Sequence, residues 1–178
     1  LLLILVPRRP ERFDSAADKL TRAGIAFTRR TALNDVPLPG VLLLDSMGEL
    51  AALFERASVV FMGGTLARRG GHNILEPAYF GKPVIVGPHM ENFAEIAAEF
   101  RAANALRTIQ SPMELAAAVS ELLANDAGLG ESARAVAQIA SMQTQLDAST
   151  TSQTQLTTQV TDGAKQALSF QTIACKAG

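Results

Sequence analysis

Residues 58–86, SVVFMGGTLARRGGHNILEPAYFGKPVIV, decide the fold class of this chain. Apolar runs at 58–62 and 83–86 enclose a glycine-rich stretch and an apolar pattern at helical spacing over 74–80. A short apolar run, a helix and a second short apolar run form the pattern of a strand–helix–strand unit with parallel strands. The segment therefore predicts an α/β fold.

The same alternation extends over the first 125 residues and predicts a parallel sheet with helices on both faces. We predict strands at 1–6, 25–28, 41–44, 58–62, 83–86 and 105–109, and helices at 11–23, 48–57, 74–80, 93–103 and 112–124. The first strand, Leu1-Leu2-Leu3-Ile4-Leu5-Val6, is far shorter than the roughly 20 residues that a membrane span needs. We expect it to be a buried strand.

Local signals fix several element boundaries. Ser111 before Pro112 and Glu114 predicts a helix that starts with a serine cap, and Gly24 predicts a helix stop. The proline-containing stretch 34–40 predicts a surface turn.

The composition restricts the function. The chain has 178 residues, of which 48% are hydrophobic, and a formal net charge of -1, so it suits one globular domain and disfavours nucleic-acid binding. Its single cysteine, Cys175, excludes an intrachain disulfide and fits a reducing, cytosolic compartment.

The chain divides by composition near residue 138. We predict one domain over 1–138 and a Gln/Thr/Ser-rich tail over 139–178, either weakly structured or an irregular helix, because Leu146, Leu156 and Val160 are too sparse to form a core. The chain opens inside an apolar run without a methionine, so we expect it to be a piece of a longer protein.

Three loops follow predicted strands and are candidates for ligand binding, at 7–13, 45–50 and 63–77. In open parallel sheets, ligands bind beyond the carboxyl ends of the strands, beside helix N-termini. The third loop has four glycines and two arginines before its helix, which suits a phosphate. Its glycine spacing matches neither a dinucleotide fingerprint nor a Walker loop.

Two carboxylates in these loops have alternative interpretations. Glu76 either folds back in a capping box with Asn73 or accepts two ribose hydroxyls. Ser46 and Glu49 have the same spacing and the same two interpretations. His72 and His89 lack metal-ligand spacing, so no metal site is expected.

Several segments together resemble the 3-deoxy-D-manno-octulosonic acid (Kdo) transferases of lipid A biosynthesis. The segments are PRRPERF (7–13), DSMGEL (45–50), GGTL (63–66), GGHNILEP (70–77), FGKP (80–83) and GPHMENF (87–93). The resemblance implies the Rossmann-like C-terminal domain of a GT-B glycosyltransferase, which binds the donor CMP-Kdo. One departure is Arg9, where the family usually has histidine.

The resemblance also implies which residues contact the donor. CMP contacts would fall on Pro7, Arg8, Met47, Gly48, Glu49, Asn73, Ile74, Leu75 and Glu76, and further donor contacts on Ser46, Gly64, Gly71 and His72. We expect these loops to converge into one cradle for CMP.

The remaining implications concern the longer protein. The acceptor would be a lipid A precursor at the cytoplasmic face of the inner membrane, reached through an N-terminal half that also attaches to the membrane and supplies a glutamate base. No catalytic residue and no cofactor are expected in this chain, which would be soluble and inactive alone. Two alternatives stay open: a GT-B transferase domain for a UDP-sugar, and a folded remnant that binds nothing.

Overall fold

The computed structural model describes residues 1–32, 36–125 and 128–176, without the side chains of residues 156, 157 and 160–176. Chain contacts divide it into two compact units, Leu1–Arg56 and Ala57–Gly178. Each unit contains one three-stranded parallel sheet. The predicted α/β class with parallel strands is therefore confirmed, and the six strands are hydrogen-bonded as two sheets.

The first unit has its strands in the order β1-β3-β2. The strands are β1 (Leu2–Leu5), β2 (Thr28–Arg29) and β3 (Gly40–Leu43), and the helices are α1 (Phe13–Arg22) and α2 (Leu50–Arg56). Leu5 of β1 and Arg29 of β2 both lie opposite Leu43 of β3. All three strands therefore end at the same edge of this sheet.

The first strand is not buried, contrary to the expectation from its six apolar residues. Leu3 is 55% exposed and Leu2 is 38% exposed. Among the described residues, β1 pairs with β3 alone and is therefore an edge strand, whereas Leu42 and Leu43 of the central strand are buried. Apolar composition alone does not distinguish an edge strand from a central one.

The second unit has its strands in the order β4-β5-β6. They are β4 (Val60–Phe61), β5 (Val84–Val86) and β6 (Arg107–Thr108), and the helices are α3 (Leu75–Tyr79), α4 (Ala94–Ala102), α5 (Leu115–Ala124) and α6 (Leu129–Lys176). The central strand β5 is completely buried, and Val84 and Val86 belong to a core that includes Ile74 and Phe100.

Helix starts follow the predicted boundaries, with one difference at Ser111. A turn of 3-10 helix starts at Pro112 and continues as α5. The Ser111 hydroxyl does not cap the backbone but donates to Glu114, whose other oxygen accepts the Gln110 amide at 3.2 Å. Glu114 therefore accepts the hydrogen bonds at the start of this helix.

At the other predicted boundary, α1 ends at Arg22, before Gly24. Asn34, in the predicted surface turn, lies outside the described residues.

Helix α6 starts inside the fold and continues beyond it. Ala133 and Ala137 are buried in the core, and Arg134 donates to the Phe80 carbonyl at 3.1 Å. From residue 141 to 155 every side chain is exposed, and the side chains of Leu156 and Val160 lie outside the described residues. The predicted domain boundary at 138 thus falls within one continuous helix, and it stays a prediction.

Candidate functional site

The loop after β3, residues 45–49, is anchored through the buried carboxylate of Asp45. One Asp45 oxygen accepts the Thr31 amide at 2.9 Å, and the other accepts the Thr31 hydroxyl at 2.7 Å. Arg29 lies 3.5 Å from the second oxygen and pairs more closely with Asp14 at 2.7 Å. The loop is therefore attached to the end of the neighbouring strand β2.

A second carboxylate of this loop, Glu49, has two partners. The Ser46 hydroxyl donates to Oε1, Nε of Arg30 donates to Oε2 at 2.9 Å, and Nη2 of Arg30 forms an ion pair with Oε2 at 2.9 Å. In a capping box, the two side chains would instead bond to each other's backbone amides. The capping-box interpretation of Ser46 and Glu49 is therefore wrong, because serine and glutamate bond directly to each other.

These contacts set the ionisation of both carboxylates. The Ser46 hydrogen bond, followed by Arg30, lowers the pKa of Glu49 below its usual value. Burial raises the pKa of Asp45, but the Thr31 hydrogen bonds and the charge of Arg29 together lower it. The Asp14 hydrogen bond raises the pKa of Arg29. The loop consequently has two ionised carboxylates at neutral pH.

The remaining candidates of the first unit lie in the same loop or at the end of β1. Met47 and Gly48 are exposed, and Gly48 has a φ of 87°, which favours glycine. Pro7 is half-buried and Arg8 is exposed, in the segment between β1 and a 3-10 turn at Pro10–Arg12. Because β1 and β3 are parallel and in register, both loops leave the same edge of the sheet.

The glycine-rich loop of the second unit is organised around Thr65, which is completely buried. Its hydroxyl donates to the Met62 carbonyl at 2.6 Å and accepts the Gly87 amide at 2.7 Å, and its carbonyl accepts the His89 amide at 2.9 Å. Thr65 therefore joins the loop after β4 to the loop after β5.

Two glycines of this loop lie where an added Cβ would displace a neighbouring side chain. A Cβ on Gly71 would lie 2.6 Å from the sulfur of Met90, and a Cβ on Gly70 would lie 2.3 Å from the amide nitrogen of Asn92. The backbone N–H of Asn92 donates to the Gly70 carbonyl at 3.1 Å. These glycines allow close packing between the two loops. Gly64 and His72 lie near each other, since a Cβ on Gly64 would be 3.3 Å from the imidazole.

The contacts of Asn73 and Glu76 bear on the two interpretations of their spacing, a capping box and a contact of Glu76 with a ligand. The Asn73 side-chain oxygen accepts the Leu75 amide at 3.0 Å, although the N-cap position of α3 is the next residue, Ile74, whose side chain makes no cap bond. Glu76 is exposed and, among the described residues, makes no hydrogen bond or ion pair, so the return bond of a capping box is missing. Its carboxylate is available to a ligand. Between the two, Ile74 is fully buried and Leu75 is half-buried.

Comparison with solved structures identifies the fold. The chain matches the C-terminal CMP-Kdo binding domain of WaaA from Acinetobacter baumannii with a TM-score of 0.73 and 36% sequence identity, over 78% of this chain and 74% of that one. The chain belongs to the 3-deoxy-D-manno-octulosonic acid transferase family.

Curated members of the transferase family match the same chain. Those of Bordetella pertussis and Haemophilus influenzae are 46% identical over 106 residues and 49% identical over 98 residues, which is 58% and 54% of this chain. The chain spans 25% and 23% of their lengths. No protein-family model matches the chain.

Sequence reasoning missed several residues that shape the candidate loops of the two units in this transferase-family chain. Arg30 and Thr31 contact the loop after β3, and Thr65 and Asn92 hold the glycine-rich loop. One signal was available for Arg30 and Thr31, because polar residues after one parallel strand lie beside those after its neighbour. That signal needed the strand order, which the sequence did not provide.

The described residues form neither a metal-binding cluster nor a membrane-spanning helix. The side chains that the structure describes, at residues 1–32, 36–125, 128–155, 158 and 159, include no group of three His, Cys, Asp or Glu placed to hold a metal ion. Within the part of the chain that the structure describes, no helix combines the length and apolar character that a bilayer crossing requires.

Proposed function

We propose that this chain binds the nucleotide sugar CMP-Kdo as the donor-binding part of a Kdo transferase. The observation that carries the proposal is the likeness, at 36% identity, to a domain described as CMP-Kdo binding. The local geometry supports it, because Glu76 offers an exposed, unpaired carboxylate among the described residues, and Glu49 is held ionised.

The proposed contacts are those that the family resemblance assigns. Glu76 has two acceptor oxygens, which suit the two hydroxyls of a ribose. Arg8 has a guanidinium, which suits a phosphate through paired N–H donors. Gly48, with its positive φ and with no atom within 4 Å of its Cβ position, leaves room for a ligand to approach the backbone.

We propose further that the longer protein transfers Kdo to a lipid A precursor at the cytoplasmic face of the inner membrane. In the inverting reaction, a glutamate base outside this chain deprotonates an acceptor hydroxyl. The oxygen then attacks the anomeric carbon, and CMP leaves with the bonding electron pair. Donors in the present chain would stabilise the charge on the departing phosphate.

Titration of CMP into the 178-residue chain tests the donor-binding proposal. We expect calorimetric heat and at least a tenfold loss of affinity in Glu76→Ala, since hydrogen bonds to a charged group contribute about 1.5–3 kcal/mol. Glu95→Ala is the matched control, because Glu95 is also an exposed glutamate in the first turn of a helix. Its affinity for CMP should equal that of the wild type.

Other outcomes identify the alternatives. Tighter binding of UDP than of CMP would indicate a UDP-sugar transferase. A well-folded chain that gives no heat with millimolar CMP and no thermal shift would be a remnant that binds nothing. A ligand at 100 times its Kd stabilises a protein by about 2.7 kcal/mol, so a thermal shift is a sensitive second measurement.

A further inference from the structure

We propose that Arg30 is a positioning residue for the donor site, which acts by holding the carboxylate of Glu49 in one orientation. This inference rests on the proposed function, because it assumes that Glu49 contributes to CMP binding. It adds a residue that lies outside every segment of the family resemblance, at the end of β2 rather than after β1, β3 or β4.

The contact geometry carries the proposal. Two nitrogens of Arg30, Nε and Nη2, both reach Oε2 of Glu49 at 2.9 Å, while the Ser46 hydroxyl bonds to Oε1. Two hydrogen bonds and one ion-pair contact on the two oxygens hold the position and the plane of the carboxylate. Glu49 still has a side chain that is 37% exposed, so a ligand can reach it.

The strand arrangement explains why Arg30 can do this. Arg29 lies opposite Leu43 in the parallel pair of β2 and β3, so the residues that follow each strand lie side by side. Thr31 fixes the first residue of the loop, Asp45, and Arg30 fixes the last, Glu49. Consecutive residues of one strand end therefore hold both ends of the loop that contains Met47 and Gly48.

An alternative role is that Arg30 merely adds surface stability. Exposed ion pairs usually contribute little to stability. The Arg107–Glu121 pair provides the comparison, with a distance of 3.0 Å and side chains that are 48% and 59% exposed. It lies outside the candidate loops, so its loss should leave CMP binding unchanged.

The test is a double-mutant cycle for CMP affinity in the 178-residue chain, with Arg30→Gln, Glu49→Gln and the double variant. We expect each single change to weaken CMP binding by about tenfold or more, as loss of one charge-assisted hydrogen bond would. The double variant should be no weaker than Glu49→Gln alone, because Arg30 acts through Glu49. Arg30→Lys should recover part of the loss, and Arg107→Gln should bind CMP like the wild type.

A second measurement is independent of the ligand. Among the described residues, Arg30 and Ser46 are the groups that hydrogen-bond to the carboxylate of Glu49. Both lower its pKa, so Arg30→Gln should raise it, as NMR of the Glu49 carboxyl carbon would show. Arg107→Gln should leave that pKa unchanged.

The outcomes are distinguishable. If the wild type binds CMP and Arg30→Gln binds it equally well, the inference is overturned while the proposed function stands. Additive losses in the double variant would also overturn it, because they would show that Arg30 acts independently of Glu49. A folded wild type that binds no CMP overturns the proposed function, and this inference fails with it.

Discussion

The hydroxyl of Thr65 accepts the amide of Gly87 at 2.7 Å in a fully buried position. The same hydroxyl donates to the Met62 carbonyl, so one side chain satisfies two backbone groups from different strand ends. The glycine-rich loop is thus held by a polar contact inside the core. The stability of this loop should therefore depend on the single hydroxyl group of Thr65.

Thr65→Val should destabilise the second unit by about 2–3 kcal/mol, because the shape is retained while a buried amide and a buried carbonyl lose their partner. Urea unfolding followed by circular dichroism measures the change. Thr65→Ser retains the hydroxyl and should cost about 1 kcal/mol for the lost methyl group. A valine variant as stable as the serine variant would contradict the role of the hydroxyl.

Gly87→Ala should be more damaging than Gly63→Ala. A Cβ on Gly87 would lie 2.3 Å from the Thr65 carbonyl oxygen, whereas a Cβ on Gly63 would have no atom within 4 Å. We expect a loss above about 2 kcal/mol for Gly87→Ala and a change within about 1 kcal/mol for Gly63→Ala, measured as free energies of unfolding. Equal free energies of unfolding for the two variants would show that the loops after β4 and β5 can move apart at no cost in stability.

Asp45→Asn should reduce stability at neutral pH by about 1–2 kcal/mol, since an amide nitrogen cannot accept the Thr31 hydroxyl. The pKa of Asp45 is lowered in the fold, so its contribution is present above the unfolded value of about 3.9 and is lost as the pH falls below it. Unfolding in urea at pH 7 and pH 3 should show a smaller difference for Asp45→Asn than for the wild type.

The control for this pH dependence is Asp18→Asn in α1. Asp18 is exposed, and its backbone carbonyl, rather than its carboxylate, accepts the Arg22 guanidinium. Its stability should follow that of the wild type at both pH values. If Asp45→Asn also follows the wild type, the Thr31 contacts do not stabilise the loop.

Truncation after Ser141 should leave the rest of the fold intact, because the side chains at 141–155 are exposed. Truncation after Gly128 removes Ala133 and Ala137 from the core and should lower the melting temperature markedly. For a domain of this size, a loss of 1 kcal/mol shifts the melting temperature by roughly 2–4 °C. A strong destabilisation by truncation after Ser141 would contradict the predicted boundary near residue 138.

The sequence predicted the fold where periodicity carries the information. Helices α1 to α5 and all six strands lie within a few residues of their predicted positions, because the apolar spacing differs between helix and strand. The burial of β1 was predicted wrongly, since six apolar residues do not specify whether a strand is central or at an edge. The order β1-β3-β2 depends on tertiary contacts that no local pattern contains.

The candidate site was predicted in part. The loops after β1, β3 and β4 were chosen because parallel strands present their carboxyl ends to ligands. The Ser46–Glu49 spacing left a capping box and a ligand contact open, and it did not predict the direct Ser46–Glu49 bond or the contact with Arg30 from another strand. Whether the assigned residues contact CMP stays a prediction.

The sequence Arg29-Arg30-Thr31 has a further consequence for how this unit tolerates change. Each of the three residues donates to a particular carboxylate. Arg29 donates to Asp14 and Asp45, Arg30 donates to Glu49, and Thr31 donates to Asp45. Inserting or deleting a single residue here would shift every guanidinium and hydroxyl away from its acid simultaneously. A shift of β2 by one residue would therefore break all of these contacts and detach the loop at residues 45–49 from the end of β2.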